Sequence, residues 1–581
     1  MQPAPTAPRL SYRPGLDGLR ALAVAGVFLY HSRIDWLPGG FLGVDLFFVL
    51  SGYLITSLLL VEWESRGRID LGRFWLRRAR RLLPAVVVVV LAALGLAAIF
   101  ARDDLARTRS DAISSLFYYT NWHLIVANSS YFVRMGRPSL LQHLWSLAVE
   151  EQFYIVWPLL LIAGLVLLGR KRLPFLVVAG IAGSTALMWL LYNPEGDPSR
   201  VYFGTDTRAA TLLVGILLAL GWPLVERIKR HVSLLDVVGL AALAGTIVLF
   251  RQVQDFDPRY YRGGALGCAL VFVVLIGAVA HPASRLGQAL GRQPLRWLGE
   301  RSYGIYLWHW PVIALTRPGI DVSWSGPGLV AAQAAIVLVA AALSYRFVEQ
   351  PIRSGRVQRR LAELEMRRRL EVVSIGAAVL VAAFVVLFVT PSPISIYVSP
   401  PTARAGGNQP QRAAIAKRRF WIPRASNGKP TKPSGLPQGR ILALGDSVML
   451  GCESELATAL HHRVRIDASV GRQIDTTIKD LDRYRSRHAL PKTIVLQIGN
   501  NGPLWYRDLV RLKAALRGVP DIVVVNVRND TSWQGESNHA LVDWVHDWRA
   551  AHIADWFGHS TPRMLSDGTH PWPWACTTYA R

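Results

Sequence analysis

Long apolar runs separated by short basic segments fill the first two-thirds of the 581-residue chain, and this alternation limits the fold more than any other feature. A helix needs roughly 20 mainly apolar residues to cross the hydrocarbon of a bilayer. Such runs lie near 16–34, 40–60, 84–100, 144–168, 174–192, 207–223, 234–250, 262–280, 303–316, 327–347 and 371–390, which predicts eleven spans, the one at 303–316 being short. A mean hydropathy of +0.26 over the whole chain excludes a disordered or wholly soluble protein. The first fifteen residues are short and polar, and the first span is too long for a cleaved signal peptide.

Charge orients the spans. The net charge of +26 could suggest nucleic acid, but the Lys and Arg residues sit between apolar runs instead of lining one folded face. The loop after the second span holds Arg66, Arg68, Arg73, Arg77, Arg78, Arg80 and Arg81, and the later even-numbered loops are also basic. Short odd-numbered loops carry far less. The positive-inside rule therefore predicts a cytoplasmic N-terminus. Eleven crossings would then leave everything beyond about residue 390 outside the cell. Residues 351–390 read as a basic cytoplasmic loop and the eleventh helix, and 391–438 as a Pro/Gly-rich linker. As a flexible chain that linker spans roughly 40 Å.

From 439 to 581 the pattern changes. Short apolar runs at Ile441–Leu444, Val464–Ile466, Thr493–Ile498, Ile522–Val527 and His552–Trp556 alternate with helix-like segments at 473–485, 505–516 and 536–550. That order predicts a parallel sheet covered on both faces, with ligands outside the carboxyl ends of its strands. Four polar blocks fall there: Gly445-Asp446-Ser447, Ser469-Val470-Gly471-Arg472, Gly499-Asn500-Asn501-Gly502 and Asp567-Gly568-Thr569-His570. A serine nucleophile needs a base, and the base an orienting carboxylate, roles that Ser447, His570 and Asp567 can fill. The Ser447 N–H, the Gly471 N–H and the Asn501 side-chain amide are the natural oxyanion donors, with Asn500 an ambiguous neighbour of Asn501. The four blocks, in this order over about 140 residues, resemble the SGNH hydrolase and acyltransferase superfamily. The resemblance places catalysis on Ser447, Gly471, Asn501 and His570, with Asp567 completing the triad. Val448 after the serine departs from the common leucine.

Cys452 and Cys576 follow Ser447 and His570 at five and six residues. They either pair, as an oxidising compartment would allow, or are two unrelated buried thiols. Trp544 and Trp548, spaced i and i+4, read as a buried helix face, and Trp572 and Trp574 beside the triad as candidates for acceptor stacking.

Ionisable residues within spans are costly and mark candidate sites. On the first span Arg20 and His31 are eleven residues apart, about 16 Å and close to three full turns, so both face one side of the helix. Several motifs resemble the acyltransferase-3 family of membrane proteins over about residues 10–350. They are Leu16-Asp17-Gly18-Leu19-Arg20-Ala21 with His31, the run Gly39 to Tyr53, Phe74 to Pro84, His143 to Tyr154, and Ser302 to Pro311. The resemblance implies a membrane domain over 1–350 that handles an acyl donor through Arg20, His31, Asp45, Glu150 and Glu151. Arg77, Arg78 and Arg81 can hold the phosphates of an acyl-CoA, or serve topology alone. Glu150 or Glu151 could orient His31, Asp17 and Asp45 could cap helices or pair with Arg20, and His309 could be a site residue or interfacial packing.

The combined architecture is an all-α polytopic bundle of about eleven helices followed by an α/β SGNH-type domain. It resembles bacterial envelope O-acyltransferases of the inner, plasma membrane. It implies transfer of an acyl group, most often acetyl, from cytoplasmic acyl-CoA across the membrane to a hydroxyl of an envelope glycan or glycolipid through a Ser447 ester. An extracytoplasmic esterase is the alternative on the same triad, and a transporter with a glycan-binding domain is a third reading. No nucleotide loop, metal cluster, permanently bound cofactor or nucleic-acid partner is expected.

Overall fold

The computed structural model describes residues 11–127, 138–193, 198–227, 232–374 and 441–581, apart from single positions and short pairs within them. The chain divides into two compact units. The eleventh expected span and the linker at 391–438 fall outside the described residues.

The first unit is helical. Among the described residues, seven helices are long and apolar enough to cross a membrane: Pro38–Arg66, Leu71–Phe100, Leu144–Leu167, Leu173–Leu191, Val232–Gln252, Tyr260–Ala280 and Pro327–Arg353. The other three expected spans in this unit are also helices, at Pro14–His31, Thr205–Leu220 and Ser302–Leu315. The last two are short, and the first carries Asp17 and Arg20. Between the third and fourth expected spans the chain forms two further helices, Leu105–Leu116 and Thr120–Val126, that no apolar run announces. Helices in lipid associate by close backbone approach at small residues. Gly52 and Gly215 show it reciprocally: a Cβ on Gly52 would strike the Leu212 carbonyl oxygen, and one on Gly215 the Val49 carbonyl oxygen.

Prolines leave a second mark. A proline lacks the N–H that would satisfy the carbonyl four residues earlier, and in a dry bundle that oxygen needs another donor. Pro158 frees the Tyr154 carbonyl, which accepts from the Trp75 indole N–H at 3.0 Å. Pro311 frees the Leu307 carbonyl, and the His143 Nε2–H fills it at 3.1 Å.

The second unit holds a five-stranded parallel sheet: β1 (Ile441–Gly445), β2 (Val464–Ala468), β3 (Thr493–Gln497), β4 (Asp521–Val525) and β5 (Ala551–Ala554). The spatial order is β2-β1-β3-β4-β5. Ile441 stands beside Val464 on one side and Thr493 on the other, so β1 and β3 are neighbours although β2 intervenes in sequence. That reversal opens a crevice at the carboxyl ends of β1 and β3. Buried Leu442, Leu444, Ile494, Leu496, Ile522 and Val524 form the core with Leu481, Leu512 and Leu541 of the covering helices. Trp544 belongs to it as expected, its indole N–H bonded to the Leu509 carbonyl at 3.0 Å and its ring 5.1 Å from that of Trp548.

Candidate active site

β1 stops at Gly445, and the chain turns at once into the short helix Ser447–Gly451. Asp446 caps that helix, its Oδ1 accepting the Val448 N–H at 3.0 Å. The turn aims Ser447 at His570, whose Nε2 lies 2.8 Å from the serine Oγ. A neutral imidazole at this distance can take the hydroxyl proton as oxygen attacks a carbonyl. Asp567, the expected orienter, lies outside the described residues.

Asn500 and Asn501 have different partners. The Asn500 amide donates to Asp446 Oδ2 at 2.8 Å, which ties the end of β3 to the end of β1. Asn501 donates from Nδ2 to the Arg472 carbonyl at 3.3 Å, and its own carbonyl accepts from Gln473 at 2.7 Å. Among the described residues the second Nδ2 hydrogen of Asn501 has no partner, and it can serve an oxyanion. Gly471 sits in the turn after β2 at φ +73°, a left-handed conformation that glycine adopts without a Cβ penalty. Arg472 staples this turn: its guanidinium reaches the Asp467 carbonyl and Oδ1 at 2.6 Å each and Asp480 at 3.2 Å. Burial would raise the Asp467 carboxyl, but hydrogen bonds from Arg472 and Tyr484 outweigh it and hold the group below its ordinary value. The opposite holds for Asp446. Its burial dominates the bonds from Asn500 and Val448 and pushes its carboxyl up to about 6.

Cys452, at the end of the serine helix, is disulfide-bonded to Cys576, the first residue of the final helix Cys576–Ala580. The bond ties the Ser447 segment to the one following His570. Cys268 is a free buried thiol, and Trp572 and Trp574 beside His570 are exposed.

In the helical unit His31 is buried, and its Nδ1 lies 3.0 Å from Nε2 of His309. Trp310 meets the His31 ring edge-on at 4.7 Å between centroids. His143 joins the group, 5.4 Å from His309 between ring centres, and its Nδ1 is buried with no hydrogen-bond partner among the described residues. Among the described residues His31 is thus bonded to His309, whereas sequence had offered Glu150 or Glu151. Glu150 instead accepts from Ser51 at 2.9 Å, with Tyr154 donating to Ser51 at 3.0 Å.

Arg20 and Arg81 bear electrostatically on Glu150, and Arg78 and Arg81 on Glu151. Arg353, within the segment expected as a basic loop, and Glu349 just before it join them around Arg81. Buried Arg78 Nε, Glu151 Oε1 and Glu349 Oε1 have no hydrogen-bond partner among the described residues, so the cluster has polar capacity to spare. Arg77 departs from this group and pairs with Glu62 at 3.7 Å. Asp17 pairs with Arg20 at 3.5 Å. Asp45 does not: it is fully buried against Arg208 at 2.7 Å and Tyr260 at 2.9 Å. Arg208 was visible as a charge inside an apolar run, the signal that should have singled it out.

A serine–histidine pair on a doubly wound sheet, in one chain with a helical bundle carrying buried histidines, fits a membrane-bound enzyme that handles acyl groups. The acyltransferase domain family matches residues 13–346, and the chain belongs to it as a membrane O-acyltransferase. It is 35% identical to the putative peptidoglycan O-acetyltransferase YrhL of Bacillus subtilis over 96% of both chains. The likeness to the peptidoglycan O-acetyltransferase OatA of Listeria monocytogenes is also 35%, over 96% of this chain and 95% of that one. A solved C-terminal catalytic domain of Streptococcus pneumoniae peptidoglycan O-acetyltransferase A aligns at 22% identity and a TM-score of 0.23, over 24% of this chain and 88% of its own.

Proposed function

We propose that this enzyme takes an acetyl group from cytoplasmic acetyl-CoA, carries it across the membrane by way of His31, and transfers it from Ser447 to a sugar hydroxyl of peptidoglycan. The arginine cluster of Arg20, Arg78, Arg81 and Arg353 offers cations for the donor phosphates, with Glu150, Glu151 and Glu349 beside them. Peptidoglycan is favoured as acceptor because both relatives are named for acetyl transfer to that polymer.

The observation that carries the reading is the 2.8 Å contact between Ser447 Oγ and His570 Nε2. In the first half-reaction His570 accepts the Ser447 proton while Oγ bonds to the acetyl carbonyl carbon. The oxyanion is held by the Ser447 and Gly471 N–H groups and the Asn501 amide. The tetrahedral centre collapses as the imidazolium protonates the leaving group, leaving acetyl-Ser447. In the second half His570 takes the proton of the sugar hydroxyl, the sugar oxygen attacks the ester, and Ser447 Oγ departs and regains its proton. Trp572 and Trp574 offer exposed aromatic faces for the sugar. The Cys452–Cys576 disulfide supports an extracytoplasmic location for this chemistry.

Mass spectrometry of wall fragments from a deletion strain tests the reading. Complementation with the wild-type gene should restore O-acetyl groups, whereas His31→Ala and Ser447→Ala should not. Unchanged acetylation with Ser447→Ala would sink it, and increased acetylation would point to an esterase.

A further inference from the structure

The reactive face of His31 is set by the chain of hydrogen bonds behind it. His309 Nδ1 lies 2.6 Å from the Tyr306 carbonyl oxygen, which can only accept, so Nδ1 carries the proton. A neutral imidazole with Nδ1 protonated has its lone pair on Nε2. That lone pair faces His31 Nδ1 at 3.0 Å, which therefore must be the donor. It follows that a neutral His31 has its own lone pair on Nε2. Two bonds, starting from one backbone carbonyl, thus assign the tautomer of both rings.

The support behind His309 is rigid. Tyr306 O–H donates to the His143 carbonyl at 2.8 Å and lies 2.6 Å from Ser146 Oγ. His143 is seated on the carbonyl that Pro311 leaves open. Trp310, packed on the His31 ring, is fixed by its indole N–H to the Ser139 carbonyl at 2.7 Å. Among the described residues, the titratable groups around the pair are His143 and Tyr306, together with Tyr30, whose hydroxyl is bonded to Asp255 at 2.6 Å. On the neighbouring helix, Asp45 is bonded to Arg208 and Tyr260. None of these supplies the acceptor at His31 Nδ1 that His309 does.

We infer that His309 is a positioning residue: its Nε2 holds His31 in the tautomer that presents an Nε2 lone pair to the acyl group or to the hydroxyl that receives it. This rests on the proposed role of His31 and goes beyond it by naming the group that makes the imidazole competent. The required property is a hydrogen-bond acceptor at the place of His309 Nε2. A glutamine can put its amide oxygen there, and a leucine of similar bulk cannot.

The test uses the purified full-length protein in lipid nanodiscs, with labelled acetyl-CoA and a soluble peptidoglycan oligosaccharide. His309→Leu is expected to lower kcat about 100-fold, with KM for acetyl-CoA changed by no more than about twofold. His309→Gln should recover to within about fivefold of wild type. Thermal melting of each variant separates chemistry from folding, and if the leucine variant does not fold, His309→Asn replaces it, since its shorter amide stops short of His31. Wild-type kcat in a folded leucine or asparagine variant overturns the inference, and so does a glutamine variant as impaired as that variant. If His31→Ala itself retains transfer, the proposed function fails at His31. If His31→Ala is inactive while His309→Leu is not, the inference alone fails.

Discussion

The two units bring distant residues together by different means. In the sheet unit a ladder does it. β1 and β3 are hydrogen-bonded neighbours, so whatever follows Gly445 and Gln497 must converge, and Ser447, Asn500 and Asn501 arrive as consequences of strand order. In the helical unit no ladder exists, because each helix satisfies its own backbone. His31 and His309 meet across 278 residues through close helix packing and side chains that bond to leftover carbonyls. A sheet site is therefore written in local blocks, whereas a bundle site is written in scattered single residues.

The sharpest way to break this comparison is to disable one site at a time. Ser447→Ala in the full chain should lower hydrolysis of an activated aryl acetate by about a thousandfold or more, whereas His31→Ala should leave it unchanged. A parallel loss of ester hydrolysis in His31→Ala would show that the two sites are not chemically separable. The next largest effect is structural. Removing one member of a fully buried ion pair leaves an uncompensated charge, so Arg208→Met should destabilise the protein by about 3–5 kcal/mol. Adding Asp45→Leu should restore much of the loss. Thermal melting in nanodiscs checks both, and failure of the second change to help would mean that packing, not charge, dominates there.

The difference also explains what could be read beforehand. All five strands were legible because each is a short apolar run between helix-like segments, and three of the four polar blocks fell directly after β1, β2 and β3. Seven of the expected spans were legible from apolar length, and three more fall on helices that are short or carry charge. The Leu105–Leu116 and Thr120–Val126 helices were not, since their polar residues break any long run. His309 was ambiguous because Trp-His-Trp-Pro reads equally as interfacial packing, and only the fold reveals its Tyr306 and His31 contacts. Arg353 read as loop charge for the same reason. Asn500 and Asn501 could not be told apart in sequence, and the fold separates them by committing the Asn500 amide to Asp446.

A smaller effect concerns pH. Burial raises the Asp446 carboxyl from 3.8 to about 6. The folded state therefore binds this proton more tightly than the unfolded state. Its stabilising contribution is present below about pH 4 and is lost as pH rises through about 6. Asp446→Asn should remove this dependence and gain on the order of 2 kcal/mol above pH 6. Asparagine keeps the cap to Val448, and a flipped Asn500 can present its Oδ1, which is buried without a hydrogen-bond partner among the described residues. Denaturation across pH 4–8 checks this, and a pH-independent difference between the variant and wild type would contradict it. The smallest pair of effects has opposite signs. Gly52→Ala should cost about 1–3 kcal/mol, because the Leu212 backbone occupies the space. Gly535→Ala, in the helix Gln534–His546 with open space around it, should gain about 0.4–1 kcal/mol. A gain at Gly52 as well would show that the bundle relaxes around its glycines.

Pro311 shows how an absent hydrogen can serve as an address. Inside its helix the Leu307 oxygen loses its backbone donor to the proline, and a histidine at the start of another helix is recruited to it. A residue with an amide hydrogen at 311 would let the helix mend itself and evict that imidazole, loosening the aromatic nest without touching any ring in it.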